Sequence, residues 1–328
     1  MTSKISSAVL PAAAPHTADR DRGTRIALIL LGLGVAVAAP FLLYPVFVMK
    51  VLCFALFACA FNLLIGFAGL LSFGHAAFFG GAAYVTAHAA KVWGLEPALS
   101  ILLGTASAAL MGLVFGALAI RRQGIYFAMI TLALSQMVFF LALQLPFTGG
   151  EDGIQGVPRG RLFGLFDLNQ PLVMYYFVLA VFLAGFALIW RTVHSPFGQV
   201  LKAIRENEPR AVSLGYRTER YKLLAFVLSA SLAGLAGGTK ALVFQLASLT
   251  DVTWQMSGEV VLMTLLGGMG TLLGPVVGAG FVVALGNYLA ATSLPVPVVI
   301  GAIFVVCVLL FRRGIVGEIA HHLRRRST

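Results

Sequence analysis

Long apolar runs separated by brief polar punctuation make up most of this chain. A helix needs about 20 apolar residues to cross the hydrocarbon core of a bilayer. Runs near that length fall at 26–48, 51–67, 69–90, 97–120, 124–146, 171–190, 222–246, 256–272, 275–291 and 293–311. The pattern predicts an all-α polytopic membrane protein with about ten transmembrane helices. The stretches 51–90 and 256–291 also fit a second solution, one crossing plus a re-entrant piece.

One segment breaks this rhythm. Residues 195–215, SPFGQVLKAIRENEPRAVSLG, place Lys202, Arg205, Glu206, Glu208 and Arg210 between two nearly uncharged runs. Phe197, Val200, Leu201 and Ile204 stand at i, i+3, i+4 and i+7, one stripe of a helix. Ser195 is placed to cap that helix and Pro196 to occupy its first position. Pro209 disfavours helix at Glu208, so the chain turns at Asn207–Glu208. A second short helix then runs through Arg210, Ala211 and Val212 and ends at Gly215. Two readings fit the residues. The segment is an interfacial linker lying on the membrane surface, or a rigid two-sided element. In the second case its stripe packs on the spans while Arg205, Glu206, Asn207 and Glu208 face a partner.

Composition settles the solvent. Of 328 residues, 59% are hydrophobic and 11% charged, against about 45–50% and about 25% in soluble domains; lipid must cover the excess. The net charge of +11 is a topology signal, because Lys and Arg in short loops mark the cytoplasmic side. With the N-terminus inside, Lys4, Arg20, Arg22, Arg25, Arg121, Arg122, the basic residues of 191–222 and those of 312–326 all face the cytoplasm. These are most of the 23 basic residues; Lys50, Lys91, Arg159 and Arg161 fall outside. Both termini and the 191–222 loop are therefore expected in the cytoplasm, and the 147–170 loop outside. The charges form no patch with interleaved aromatics, which argues against nucleic acid as a partner. Residues 1–25 have the composition of a disordered extension. AVA at 36–38 could end a cleavable leader, but the apolar run continues through FLLYPVFVM, so the first span is expected to stay. Cys53, Cys59 and Cys307 lie in apolar runs without metal or disulfide spacing and are expected to act as small packing residues.

The spans are rich in glycine, 36 residues in all. GLVFG (112–116), GTLLG (270–274) and GPVVG (274–278) fit the small-residue pattern of close helix packing. GFAGLLSFGHAAFFGGAAY (66–84) and GGMGTLLGPVVGAG (267–280) are denser than packing requires. Transporter sites form where helices are broken near mid-membrane in two halves of a chain. Ser72, His75, Thr131, Ser135 and Gln136, with Gly267, Gly268 and Gly270, are the resulting candidates for a substrate path. His75 equally fits a structural histidine bonded to a neighbouring carbonyl. Charge inside a span is costly and usually functional. Only Lys240 and Glu259, near predicted span ends, carry it here, which disfavours an ion-driven carrier. No catalytic constellation stands at depth, which disfavours a membrane enzyme. A P-loop is excluded because no lysine follows a glycine. The inventory is that of a conduit without its own engine.

Five segments in order, NLLIGFAGLLSFGHAAFFGGAAY (62–84), RRQGIYFAMITLALSQ (121–136), TGGEDGIQG (148–156), SPFGQVLKAIRENEPRAVSLGY (195–216) and GGMGTLLGPVVGA (267–279), resemble the LivM-type permeases. These are the integral-membrane subunits of ABC importers for branched-chain amino acids. The resemblance covers residues 45 to 312 and implies a type II importer-like permease domain over 26–312, followed by a basic tail at 313–328. It implies a bacterial inner-membrane location, a second homologous permease subunit, two ATPase subunits and an extracytoplasmic substrate-binding protein. ATP and Mg would be used by the partners, with no cofactor on this chain. It further implies that Ala203, Ile204, Arg205, Glu206, Asn207, Glu208, Ala211 and Gly215 form a coupling loop that docks on the ATPase. Similar permeases take urea, short amides or aromatic carboxylates, and the spans do not choose among these cargoes.

Overall fold

The computed structural model describes residue 32 and residues 34–162, 164–290, 296–310 and 314–318. The N-terminal extension, the opening of the first span and most of the basic tail lie outside the described residues. After a helical stretch at 34–42 the chain forms α1 (Pro45–Asn62), continued by a π-helical turn at Leu63–Ala68. Then come α2 (His75–Lys91), α3 (Pro97–Ala119), α4 (Ile125–Gln144) and α5 (Pro171–His194). Two short helices follow, α6 (Pro196–Glu206) and α7 (Glu208–Ser213), then α8 (Thr218–Phe244), α9 (Trp254–Gly267), α10 (Gly274–Leu289) and α11 (Val296–Leu310).

Among the described residues, five helices are long and apolar enough to cross a membrane: α1 with its π turn, α3, α4, α5 and α8, of 24, 23, 20, 24 and 27 residues. The others are shorter, with 17 residues in α2, 14 in α9 and 16 in α10. The first predicted boundary shifts. The sequence reading put it after residue 48, but the helix at 34–42 ends at Leu43–Tyr44 and α1 starts on Pro45. Proline has no N–H to give and a preset φ, so it belongs in the first turn of the new helix rather than inside the old one.

Two of the long helices form the centre. The membrane-length windows of α1 and α8 are 89% and 78% buried, against 33%, 28% and 39% for α3, α4 and α5. A helix that is apolar on nearly every side, as α1 is beyond Lys50 in its first turns, belongs inside. α1 packs on α5, α8, α9 and α10, and α8 also on α2 and α3. With lipid outside, helices gain little by hiding apolar area, and close van der Waals approach must hold them. Gly112 shows the requirement: a Cβ there would stand 2.5 Å from the Cβ of Ala230 on α8. The peripheral helices expose Leu99, Leu102, Leu110 and Leu113 of α3 and Met129, Met137 and Phe140 of α4.

The helix ends gather into two groups. At one end Gln123, between α3 and α4, bonds Glu208 of α7 at 2.8 Å, and Asn62 bonds Thr271 O at 2.8 Å. At the other, Lys91 Nζ donates to Gln155 O at 2.7 Å, and the His88 ring stacks on Phe147 at 3.9 Å. The all-α expectation needs one amendment at this second end. Ile154–Gln155 (β1) pairs antiparallel with Leu246–Ala247 (β4), and Arg161–Leu162 (β2) with Phe166–Asp167 (β3). A loop folded down onto the helices must satisfy its backbone groups, and short ladders do so.

Candidate coupling site at the broken helices

Two interrupted helices and the charged module meet at the first end. The π turn of α1 closes on Gly69, whose φ of +74° is left-handed, and residues 69–74 run non-helically before α2 begins. Non-helical backbone at membrane depth survives only where protein buries it or water lines it. Here hydroxyls supply the missing partners. Phe73 N–H donates to Thr131 Oγ1 at 3.1 Å, Gly74 N–H to Ser72 Oγ at 3.2 Å and Ala76 N–H to Ser257 Oγ at 3.0 Å. Thr131 in turn donates to Ala128 O at 2.9 Å. Thus Ser72 and Thr131, picked out as path candidates, are both buried and engaged with the unwound backbone.

His75 sits just beyond, fully buried, with Phe61, Phe78 and Phe226 edge-on around its ring at 5.0, 5.6 and 6.1 Å. Its Nε2 lies 2.8 Å from Ser229 Oγ, and Ser229 donates its own proton to Ala60 O at 2.6 Å. The hydroxyl can therefore only accept from the ring, which places the imidazole proton on Nε2. The histidine thus bonds a hydroxyl, which relays it to a carbonyl. Ser135 is buried and Gln136 half-buried on α4.

The second break lies between α9 and α10. Gly268 and Gly270 take φ of +120° and +74°, and Gly267 lets the start of α10 press close, since a Cβ would stand 3.1 Å from Pro275 N. Asn62, near the end of α1, clamps this turn with both halves of its amide. Nδ2 donates to Thr271 O at 2.8 Å, and Oδ1 accepts from Gly270 N–H at 2.9 Å. The two glycine-dense stretches are thereby joined. Asn62 was missed in the sequence, although a polar residue closing a long apolar run was a readable signal.

The module at 195–215 folds largely as its pattern predicts. Ser195 Oγ accepts from Gly198 N–H at 3.4 Å with Pro196 in the first turn. Leu201 and Ile204 are buried, Phe197 and Val200 half-buried. Asn207, extended at φ −156°, caps α7 by accepting from Arg210 N–H at 3.1 Å. Glu208 is already helical, one step earlier than expected, because Pro209 occupies the first turn, where a missing N–H has no consequence. Gly215 follows with φ +87°.

The side chains divide differently from the expectation of an outward-facing corner. Ala203, Arg205, Glu206, Asn207 and Gly215 are exposed, Glu208 is half-buried, and Ile204 and Ala211 are buried in the inner face. Arg205 turns back and donates through Nη1 to Gly66 O. Glu208 accepts from Lys222 Nζ at 2.5 Å and Gln123 Nε2 at 2.8 Å. Lys222, buried at the start of α8, needs that counter-charge. Two clefts flank Arg205. One of about 390 Å³ is lined by Ala68, Gly69, Gln123 and Asn207, the other of about 400 Å³ by Gly66, Phe67, Lys202 and Gly270.

Residues 26–311 match the family model for the branched-chain amino acid transport system / permease component. The chain belongs to this family. It is 30% identical over 233 residues to the high-affinity branched-chain amino acid transport system permease protein LivM of Escherichia coli (strain K12), covering 64% of this chain and 55% of that one. LivM of Salmonella typhimurium (strain LT2) matches with the same identity and coverage, 30%, 64% and 55%. The autoinducer 2 import system permease protein LsrC of Klebsiella pneumoniae is 31% identical over 182 residues, 52% of this chain and 51% of its own. The chain spans about half the length of these curated relatives. No solved structure matches it. Family and apolar helices together make this permease a multi-pass membrane protein.

Proposed function

We propose that this permease is the membrane subunit of an ATP-driven importer, carrying branched-chain and similar apolar amino acids through the bacterial inner membrane. The observation that carries the reading is the two-sided module at 195–215, which is bonded to the first broken helix through Arg205 and lies beside the second at Gly270, while Ala203, Glu206 and Asn207 stand free. An ATPase docked on that corner can move the breaks without touching them. In this arrangement the termini and the module face the cytoplasm, some of the ten crossings are short or re-entrant, and the 147–170 loop meets an extracytoplasmic binding protein. A second homologous permease and two ATPase subunits, which use ATP and Mg, complete the assembly. Nucleotide binding favours one of two states of the pathway, and a two-state shift needs only that differential binding. The path runs by the unwound segment, with Ser72, His75, Thr131, Ser135 and Gln136 beside it and Gly267, Gly268 and Gly270 shaping the second break.

The test is a photo-cross-linker at Asn207 in intact cells. Capture of a nucleotide-binding ATPase supports the reading; ion-driven, ATP-independent uptake by this chain alone in liposomes would overturn it. The likeness to LsrC supports a second cargo reading, the import of autoinducer 2 or another small polar molecule through the same scaffold. Binding of leucine, urea, benzoate and autoinducer 2 to the co-purified binding protein separates the cargoes.

A further inference from the structure

We infer that Arg205 is a pin that fastens the coupling module to both broken helices at once, so that it transmits motion rather than grips the ATPase. The inference deepens the importer reading and rests on it. The last carbonyls of a helix lack intrahelical donors and form its negative end. In α1 the π turn directs the Gly69 and Leu70 N–H groups to Leu64 O, and Arg205 Nη1 takes Gly66 O. A guanidinium, planar and permanently charged, suits that position better than a flexible ammonium.

The socket is shaped for the side chain. A Cβ on Gly69 would stand 3.0 Å from Arg205 Cγ, and one on Gly270 would stand 3.3 Å from Gly66 O and 3.4 Å from Arg205 Nη1. Both glycines have φ of +74°, which ordinary side chains rarely adopt. Asn62 binds Gly270 to α1 from above, and Lys202 Nζ lies 5.8 Å from the centre of the Phe67 ring on the other flank. Displacing α6 therefore displaces the end of α1, the unwound 69–74 segment and the α9–α10 turn together.

The experiment uses the complete complex, purified with its partners and reconstituted in liposomes, reading ATPase retention and substrate taken up per ATP hydrolysed. For Arg205→Ala the ATPase subunits stay bound while uptake per ATP falls about 10-fold, within the range of coupling between sites. Gly69→Ala, which crowds the socket, gives the same loss, and Arg205→Lys recovers part of it. The double variant Arg205→Ala/Gly69→Ala is no worse than either single change, as expected of groups acting as a unit. Loss of the ATPases from Arg205→Ala would make the residue a docking contact and overturn the pin while leaving the importer intact. Unchanged uptake per ATP in Arg205→Ala or Gly69→Ala would also overturn it. If the Arg205→Ala permease itself is not recovered folded, Arg205→Lys and Gly69→Ala decide by the same ratio. A wild-type preparation that retains no ATPase would instead sink the importer reading itself.

Discussion

Two arginines bond the final carbonyls of the two central helices, at opposite ends of the molecule, and their settings differ. Arg159 holds the end of α8 with two bonds, Nη2 to Val243 O at 2.7 Å and Nε to Leu242 O at 3.3 Å. Its neighbours are locked: Val157 N–H donates to Gln245 O at 3.0 Å, and the β1–β4 ladder runs beside it. Behind them Lys240 Nζ meets both carboxylate oxygens of Asp251, at 2.8 and 2.6 Å, with both residues buried. Arg205 holds the end of α1 through Gly66 O, against two left-handed glycines and between two clefts. The Arg159 end, the closed end of the core, carries a strand ladder and a fully buried ion pair; the Arg205 end, tied by Lys222–Glu208 and Asn62, opens into two clefts. The proposed importer, driven from beneath, uses this asymmetry.

Breaking the closed end gives the largest effect. Asp251→Ala leaves the Lys240 ammonium buried without its partner, which costs about 3–5 kcal/mol. A drop in the unfolding temperature of the detergent-solubilised protein checks it, and the paired change Lys240→Met/Asp251→Leu recovers most of the loss. A single variant as stable as the wild type would show that this end is not locked by the pair. Arg159→Ala follows at about 1.5–3 kcal/mol, the range for hydrogen bonds to a charged group. Uptake per ATP stays the same in Arg159→Ala, the opposite profile to Arg205→Ala. If both arginine variants uncouple transport, the asymmetry is illusory. Asn62→Ala removes two neutral bonds from the α9–α10 turn and costs about 1–2 kcal/mol. Because Asn62 ties the second break to the first, it also lowers uptake per ATP, and by less than Arg205→Ala does.

What the sequence made legible was local. The stripe Phe197–Ile204, the Ser195 cap, the Pro196 start and the Gly215 stop depend on residues within a few positions of one another, and each stands where the pattern placed it. The family was legible because five motifs keep their order. The direction of Arg205 and Glu208 was hidden, because it is set by Gly66, Gln123 and Lys222, far away in the chain. A charge run alone looks like a solvated corner until a buried lysine or an open helix end is placed behind it. Ile204 illustrates the same limit, since one residue was read both as inner stripe and as part of the coupling loop, and its side chain is buried on the inner face. The strands escaped notice because two-residue ladders carry no periodicity, and Asn62 because its partners lie more than two hundred positions away, 208 and 209 residues along.

The smallest effect tests how far the closed end extends. The β2–β3 hairpin projects from it, with Leu165 82% exposed, and its acid is Asp167. The carboxylate accepts from Asn169 N–H at 3.0 Å and from Asn169 Nδ2 at 2.8 Å. Asn169's backbone N–H first, then its side chain, hold the Asp167 pKa below its ordinary value, with Arg161 adding a weaker pull. A depressed carboxyl stabilises the hairpin fully above the unfolded value, about 3.9, and the contribution disappears as pH falls through the folded value. Protection of the Asn169 amide relative to its intrinsic exchange rate should therefore fall in acid, and Asp167→Asn should remove that pH dependence. Protection at Val157 and Ala247 should not change in the same range, because their bonds are backbone to backbone. If acid loosens those positions together with Asn169, the hairpin and the ladder open as one unit, and the closed end reaches to its exposed tip.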